Sequence, residues 1–280
     1  MIILFAASCS LLPGAEEGDD LDRTTSPPTD SELVSENSPM PENDWRQPAL
    51  NTSWQWQLEG DMDTSLDVDL FDLDLFETEP ALIQELKEDG RYLVCYISVG
   101  SYEDWRPDAD SFPSQVLGNN YTGWPGEKWL DIRQIDLLAP ILRARLDLCA
   151  TKGFDGVEPD NIDGYTNNTG FELSYADQLA FNIWLAGETH ARGLSIGLKN
   201  DPDQILDLLP YFDWALTEDC FEEGWCGETL PFIEAGKPVL AAEYTDTGIT
   251  LADFCPRARE LGINAILKNR ELDAFREACP

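Results

Sequence analysis

The stretch GFDGVEPDNIDGY, residues 153–165, decides the fold together with GLSIGLKN, residues 193–200. Each begins with a glycine, which commonly ends a helix, and continues with a short apolar run that predicts a buried strand. Each then ends in polar residues. The segment between them, from about Ser174 to Arg192, has the pattern of a helix. This order predicts two parallel strands joined by a crossover helix.

The same alternation extends in both directions along the chain. It predicts strands over residues 53–58, 66–71, 92–97, 154–158, 194–199, 212–217, 238–243 and 264–268. It predicts a long loop over residues 98–133 and helices over residues 79–89, 137–151, 174–192, 203–209, 230–235, 251–261 and 271–278. Eight parallel strands fit a closed barrel better than an open sheet. The predicted fold class is therefore α/β, a (β/α)8 TIM barrel that forms a single domain over residues 50–280.

The first fifty residues are predicted to lie outside that domain. Residues 1–12 are apolar and end in small residues around Cys9, which is typical of the end of a bacterial signal peptide. Ala6-Ala7-Ser8-Cys9 resembles a lipobox, in which Cys9 would carry a lipid anchor, and a plain cleavable signal is the alternative. Residues 13–49 are rich in Pro, Ser, Thr and acidic residues and predict a disordered linker. We therefore expect an extracellular or cell-surface protein, and a monomer.

The charge balance restricts the partners. The chain has 18 Lys and Arg against 54 Asp and Glu, a formal net charge of -36. Nucleic acids and anionic membrane surfaces are bound through Lys and Arg, so the charge argues against both and is compatible with a cationic substrate. A salt-adapted or generally acidic secreted protein would have the same charge.

The histidine and cysteine content restricts the metal chemistry. The single histidine, His190, excludes a site with two His ligands, and its position near a predicted helix end favours a structural role. We predict no metal and no cofactor. Six cysteines lie in the predicted domain, and in an exported protein an even number suggests disulfides. Local pairing predicts Cys220–Cys226, Cys255–Cys279 and, by remainder, Cys95–Cys149, among fifteen possible connectivities.

Polar residues follow every predicted strand, at the end of a (β/α)8 barrel where active sites lie. Asp and Asn at such places can also cap the next helix, but Glu158, Glu218 and Glu243 are poor caps and so favour a site. Two carboxyl groups on either side of a glycosidic bond are what sugar hydrolysis needs. Tryptophan faces can stack on sugar rings, although each tryptophan can equally pack in the core. The candidates are Trp54, Trp56, Trp105, Trp124 and Trp129.

Several motifs in this order resemble glycoside hydrolase family 114, from about Trp54 to the C terminus. They are CYISVGSYEDWRPD (residues 95–108), WLDIR (129–133), the two stretches quoted first, and Glu243-Tyr244. The resemblance implies a (β/α)8 barrel with endo-α-1,4-polygalactosaminidase activity. It implies a substrate of α-1,4-linked galactosamine, often partly N-acetylated, which is a cationic amino-sugar polysaccharide.

The resemblance also implies the catalytic residues. The family's Asp after the fourth strand and Glu after the sixth correspond to Asp160 and Glu218. By analogy with related barrels that cleave α-galactosides, Asp160 would attack the sugar and Glu218 would donate the proton. This predicts retention of configuration, with carboxyl groups about 5–5.5 Å apart rather than the about 6.5–9.5 Å of inverting enzymes. The family's two cysteines around the loop after Glu218 correspond to Cys220 and Cys226.

An acidic rim would attract an ammonium sugar. Lys199 is the exception, and it either tunes the pKa of a neighbouring carboxylate or forms a salt bridge without a catalytic role. The full set of predicted substrate-binding residues is Trp56, Gln57, Asp72, Asp74, Tyr96, Ser98, Ser101, Glu103, Arg106, Trp129, Asp131, Glu158, Asn161, Asp163, Lys199, Asn200, Glu243 and Tyr244.

Three other functions stay open from the sequence. The first is a barrel at the cell surface that binds polysaccharide without cutting it. The second is a deacetylase or a hydrolase of another polymer, although the single histidine disfavours a metal deacetylase. The third is a calcium-binding surface protein, because residues 160–163 are rich in oxygen ligands, but they lack the spacing of an EF-hand loop.

Overall fold

The computed structural model describes residues 45–280. Its strands are β1 Trp54–Gln57, β2 Leu70–Asp74, β3 Tyr92–Ser98, β4 Ser101–Glu103, β5 Leu117–Asn120, β6 Glu127–Leu130, β7 Gly156–Asp160, β8 Ser195–Lys199, β9 Trp214–Glu218, β10 Val239–Tyr244, β11 Asn264–Lys268 and β12 Glu277–Ala278. Its helices are α1 Pro80–Glu88, α2 Ile135–Lys152, α3 Tyr175–His190, α4 Ile205–Leu208, α5 Leu230–Glu234 and α6 Leu251–Leu261.

One curled sheet of nine strands forms the centre of the molecule, in the order β1-β2-β3-β7-β8-β9-β10-β11-β12. The first eight strands are parallel, and β12 pairs antiparallel with β11. The eight parallel strands match the eight that the sequence predicts, and the fold is TIM-barrel-like.

The two ends of the curled sheet meet through side chains and the C-terminal segment. The indole nitrogen of Trp54 on β1 donates to the carbonyl of Asn264 on β11 at 2.9 Å. Arg276, just before β12, donates to the carbonyl of Trp54 at 2.6 Å. Within residues 45–280 no backbone ladder joins β1 to β11. The C-terminal residues therefore close the seam in place of a ladder.

Side chains alternate between two packed layers. One apolar cluster lines the inside of the curl, and it includes Trp54, Leu70, Val94, Trp214 and Leu240. The intervening residues of the same strands point outward and pack against the helices. This alternation is what aims the last residue of each strand into or away from the mouth of the barrel.

A glycine on β8 makes room for the largest interior side chain. A Cβ at Gly197 would lie 2.5 Å from the ring of Trp214, closer than side-chain atoms approach one another. Trp214 also donates its indole N–H to Ser195 at 3.1 Å. The Gly in GLSIGLKN is therefore required by packing inside the barrel.

The helix ends follow the local sequence signals. Gly153 ends α2 and Gly262 ends α6, both in the left-handed conformation. Ser174 begins α3 with a capping box in which Asp177 is the partner. His190, predicted to lie near the helix end, is the last residue of α3, and its Nε2 lies 2.9 Å from Asp213.

The first described residues pack at the end of the barrel where the strands begin. Trp45 stacks on His190 with ring centroids 3.9 Å apart. Arg46 bonds to the carbonyl of Arg91 at 2.9 Å and to the carboxylate of Asp155 at 3.3 Å. Arg91 directly precedes β3 and Asp155 directly precedes β7. The predicted signal peptide, Cys9 and most of the predicted linker lie outside the described residues.

The predicted final helix over residues 271–278 is wrong. Leu272 has a φ of 53°, in the left-handed region that ends helices. The side chain of Asp273 then accepts the N–H of Phe275 at 2.9 Å, which forms a local turn. β12 follows and pairs with β11. Pairing with the open sheet edge overrides the helical pattern of these eight residues.

The predicted long loop and the start of the second strand also differ from the prediction. The predicted long loop over residues 98–133 contains a three-stranded antiparallel sheet in the order β4-β6-β5. The second strand begins at Leu70 rather than residue 66, because Asp69 bonds to the N–H and hydroxyl of Ser53 at 2.9 and 2.6 Å and ends the preceding turn there. Among the described residues, no helix combines the length and apolar character needed to cross a membrane.

Three disulfides join Cys95–Cys149, Cys220–Cys226 and Cys255–Cys279. These are the pairs that local pairing predicts. The first links β3 to α2, the second closes the loop after β9, and the third ties the C-terminal segment to α6.

Candidate active site

The C-terminal ends of the central strands converge on the side chain of Lys199, the last residue of β8. Its ammonium lies 2.8 Å from Glu158, 2.9 Å from Asp160 and 3.1 Å from Glu218. Lys199 is only 3% exposed, whereas the side chains of Asp160 and Glu218 are 20% and 27% exposed. The two predicted catalytic carboxyl groups therefore face the mouth, and one buried cation connects them.

Every oxygen of the two carboxylates has a donor. Asp160 accepts a hydrogen bond from Lys199 on one oxygen and from the hydroxyl of Tyr96 on the other, at 3.0 Å. Glu218 accepts from the hydroxyl of Tyr244 on one oxygen. Its other oxygen forms the ion pair with Lys199 and accepts from the amide of Asn200 at 3.3 Å. These bonds hold both carboxyl groups in one orientation.

The Lys199 ammonium sets the charge of the site. Burial opposes its charge, but Asp160, Glu158 and Glu218 outweigh burial and raise the pKa of Lys199 above its ordinary range. Burial would also raise the pKa of Glu218, yet Lys199, the hydroxyl of Tyr244 and Asn200 together lower the pKa of Glu218. Glu218 is therefore anionic in the resting protein at neutral pH.

A buried layer lies directly below Lys199. Asp72 and Glu158 are both 0% exposed. Burial raises the pKa of Asp72 well above its ordinary value, and the charge of Glu158 adds to the shift. The ring of Trp56 lies under the Lys199 ammonium, with the nitrogen 4.6 Å from the ring centroid, a cation–π contact.

A second group of polar residues lies beside Asp160. Its members come from the end of β3, from Asn161 and from the insert, residues 99–134 between β3 and α2. Asn161 donates to Ser98, Ser101 and Glu127 at 3.0, 3.0 and 3.1 Å. Burial raises the pKa of Glu127 to about 7. Burial and the neighbouring charge of Asp160 raise the pKa of Asp163 to about 6. The acidic groups around the mouth thus extend beyond the Lys199 cluster.

Seven predicted residues bond elsewhere and do not join the Lys199 cluster. Arg106 pairs with Asp74 at 2.7 Å and Glu103 at 2.8 Å, in a buried ion group that holds the insert against β2. The others hold loops or pack against a neighbour. Gln57 donates to the carbonyls of Glu59 and Asp61, and Asp131 pairs with Arg133. Trp129 packs at a tilt against Tyr121, and Glu243 accepts from the N–H groups of Phe221 and Glu222.

Several residues near the site are absent from the sequence-based set. The ring of Tyr121 packs at a tilt of 35° against Trp129 with centroids 4.7 Å apart, and burial together with Asp160 and Asp163 raises the pKa of Tyr121. Arg270 lies over the ring of Tyr244 at 3.9 Å and bonds to Asp219 at 2.7 Å. No motif identifies Tyr121, since it lies in the predicted loop. Arg270 could have been noticed as the charged residue that follows Lys268-Asn269 after the eighth strand.

Metal binding has little support in this part of the chain. Across residues 45–280, the group with metal-ligand spacing consists of Cys220, Cys226 and Glu243. The two sulfurs form the Cys220–Cys226 disulfide, so they are not free to bind a metal. Glu243 already accepts hydrogen bonds from two backbone N–H groups.

The family model described as glycoside-hydrolase family GH114 matches residues 34–280. The chain belongs to glycoside-hydrolase family GH114. The GH114 chain is 39% identical to Ega3 of Aspergillus fumigatus, whose crystal structure is a complex with galactosamine. That match has a TM-score of 0.80 and covers 84% of this chain and 97% of Ega3.

Two more distant proteins are also similar to the GH114 chain. The glycoside hydrolase domain of PelA from Pseudomonas aeruginosa shares the fold, with a TM-score of 0.64 and 17% identity over 81% of this chain and 98% of that domain. A Deinococcus radiodurans protein described as uncharacterized is 26% identical over 267 residues, which is 81% of this chain and 84% of that protein. With the family match and the Ega3 likeness, the GH114 chain is a glycoside hydrolase.

Proposed function

We propose that this GH114 chain is an endo-acting hydrolase of α-1,4-linked galactosamine polysaccharide, using Asp160 and Glu218 as its catalytic pair. The observation that carries the proposal is that both carboxylates bind the same Lys199 ammonium, at 2.9 and 3.1 Å, while remaining open to the mouth. The likeness to Ega3, whose structure holds galactosamine, supports an amino sugar as the substrate.

The spacing of the pair is compatible with the retaining mechanism that the family resemblance implies. Because one oxygen of each carboxylate contacts the same nitrogen, these two oxygens lie within about 6 Å of each other, a limit that includes the about 5–5.5 Å of retaining enzymes. Asp160 attacks the anomeric carbon, and Glu218 protonates the leaving oxygen. Glu218 then removes a proton from the water that hydrolyses the glycosyl–Asp160 ester.

Charge and aromatic exposure support a cationic polymer. The formal net charge of the chain is -36, and Asp163 adds a carboxyl group next to the pair. Trp105 and Trp124, in the insert, are 48% and 51% exposed and offer faces for sugar rings outside the catalytic centre. The half-buried Tyr96, Asp163 and Asn200 keep the proposed substrate-binding role, whereas the predicted residues Asp72 and Glu158 are fully buried and do not contact substrate.

We also propose an exported protein, with residues 1–12 as leader and most of the predicted linker as tether, whereas Trp45 and Arg46, near the end of that linker, pack against the catalytic domain. Three disulfides support an oxidising compartment. Lipid attachment at Cys9 remains part of this proposal.

The first test is digestion of partly N-acetylated polygalactosamine by Asp160→Asn, Glu218→Gln and the exposed control Glu228→Gln. We expect new reducing ends with the wild type and the control, and a loss of at least about 10³-fold in either catalytic variant. Melting temperatures should stay close to wild type. A barrel that only binds the polymer would release no ends in any form, and a deacetylase would release acetate instead.

The second test assigns the two roles. Proton NMR during the first turnovers should show products with the α configuration of the substrate. Azide should rescue Asp160→Ala by forming the β-glycosyl azide and Glu218→Ala by forming the α-glycosyl azide. The opposite pattern would exchange the nucleophile and the acid/base.

A further inference from the structure

Asp72 is a buried carboxyl group whose bonding is incomplete. It is 0% exposed, and across residues 45–280 neither of its oxygens has a hydrogen-bond donor. Glu158 is also 0% exposed, and its Oε2 has no donor either. Buried oxygens without donors are rare, because leaving a buried charge unpaired is strongly unfavourable. A proton shared between Asp72 and Glu158 would supply the missing hydrogen bond between their oxygens.

The Lys199 ammonium does not provide a hydrogen bond to Asp72. It donates to Glu158 and Asp160 and forms an ion pair with Glu218 at 3.1 Å, and among residues 45–280 it forms no ion pair with Asp72. The indole N–H of Trp56, whose residue pairs in register with Asp72, has no partner among the described residues and is not bonded to Asp72. Asp72 is therefore the one acid of this layer without a positive partner.

Asp72 and Glu158 face each other from strands β2 and β7. Asp72 is in register with Val94 of β3 and Glu158 with Tyr96, so both side chains point into the barrel from either side of β3, and Glu158 is the carboxylate that acts most strongly on Asp72. Two neighbouring carboxylates in a buried site cannot both be ionised, so one of them holds a proton. Glu158 has the Lys199 ammonium at 2.8 Å, which favours its anion, and Asp72 has no such partner.

We propose that Asp72 is a protonated carboxylic acid that donates to Oε2 of Glu158, and that it acts as a positioning residue for Lys199. The inference rests on the proposed function, because it assigns the support beneath the catalytic pair. With Asp72 neutral, Glu158 stays anionic and holds Lys199 from below. Lys199 is then fixed between Asp160 and Glu218, and its charge keeps the pKa of Glu218 low.

The charged and titratable groups around Asp72 come from five strands. They are Tyr96 from β3, Glu158 and Asp160 from β7, Lys199 from β8, Glu218 from β9 and Tyr244 from β10. If Asp72 is replaced by a residue without a donor, Glu158 takes up a proton itself. The site then loses one negative charge beside Lys199, so the pKa of Glu218 falls further.

Infrared spectroscopy tests the proton directly. At mildly alkaline pH, where Glu127 and Glu243 with a pKa of about 7 are ionised, the wild-type minus Asp72→Asn difference spectrum should contain the C=O band of a protonated carboxylic acid. The band should shift in D2O. A difference spectrum without it overturns the proposal.

The kinetic test compares two variants that must both melt as cooperatively as wild type. Asp72→Asn keeps a neutral donor, so its pH profile of kcat/KM should follow wild type. Asp72→Ala should move the alkaline limb to lower pH, by about one pKa unit or about tenfold in rate at a fixed alkaline pH, with little change in KM. Equal loss in both variants, or no shift in Asp72→Ala, overturns the positioning role.

The two proposals fail differently. If the polymer is not hydrolysed but the infrared band of Asp72 is present, the proposed function fails and the proton assignment stands. If the polymer is hydrolysed and the band is absent, the proposed function stands and this inference fails.

Discussion

Lys199 is the residue whose replacement should change the site most. In Lys199→Met, three carboxyl groups lose their shared cation, which for a buried ion group costs about 3–5 kcal/mol of unfolding free energy at neutral pH. Without Lys199, burial raises the pKa of Glu218 above its unfolded value. A group with a raised pKa loses stability as pH rises, so the cost should grow from acidic to alkaline pH.

Urea denaturation at acidic and alkaline pH measures this effect. The half-exposed Lys128 on β6 offers a matched control in Lys128→Met. A destabilisation of Lys199→Met that is equal to the control, or independent of pH, would contradict the ionic role of Lys199.

The proton on Glu218 should set the pH optimum. Lys199 and Tyr244 lower the pKa of Glu218 against the effect of burial, and an acid catalyst must be protonated. The protonated fraction of Glu218 falls as pH rises, so kcat/KM should decline from acidic pH through neutral. A pH profile of kcat/KM on the polymer measures this. An optimum above neutral pH would exclude Glu218 as the acid.

At the scale of elements, periodicity predicted what depends on local pattern. The α6 and β11 bounds are the predicted ones, because caps and turn glycines mark them. Period-two alternation also places Glu218 on the same face as Trp214 and Leu216 inside the barrel, which explains why a strand-end acid reaches the mouth. The convergence of Asp160, Glu218 and Lys199 follows from parallel strands alone.

Contacts made by the insert could not be predicted in the same way. Tyr121 and Glu127 reach the site because β4, β5 and β6 form their own sheet, and strands of three or four residues such as LGNN carry little pattern. For the same reason the sequence predicts substrate contacts for Arg106, Asp74 and Glu103, although Arg106 pairs with the two acids instead. Pairing partners in such a sheet depend on tertiary contacts that adjacent residues do not encode.

Removal of one disulfide should mainly lower stability, and removal of another should mainly lower activity. Cys95→Ser/Cys149→Ser opens a link between residues 54 positions apart and should cost about 4 kcal/mol of unfolding free energy. Cys220→Ser/Cys226→Ser opens a link between residues 6 positions apart and should cost about 2 kcal/mol. The second pair borders Glu218, so we expect it to lower kcat more. Chemical denaturation and kcat of both double variants measure this, and the reverse ranking in kcat would contradict a positioning role for the loop.

At the scale of the whole molecule, net charge should control the encounter with substrate. A chain of charge -36 attracts a polycation over distances that salt shortens, from a Debye length of about 8 Å at physiological ionic strength to about 3 Å at 1 M. We expect kcat/KM on deacetylated polymer to fall at least about tenfold over that range. Fully N-acetylated polymer of equal length is the control, and an equal salt effect on both polymers would show that attraction is not the cause.

The packing of Trp45 and Arg46 has a mechanical consequence. Both residues are attached to the end of the barrel where the strands begin, through His190 and Asp155, while the proposed catalytic pair lies at the other end. Tension applied along the chain upstream of Trp45 would therefore strain the stacking and the ion pair where the strands begin first. The geometry around Lys199 would be left undisturbed under flow or drag.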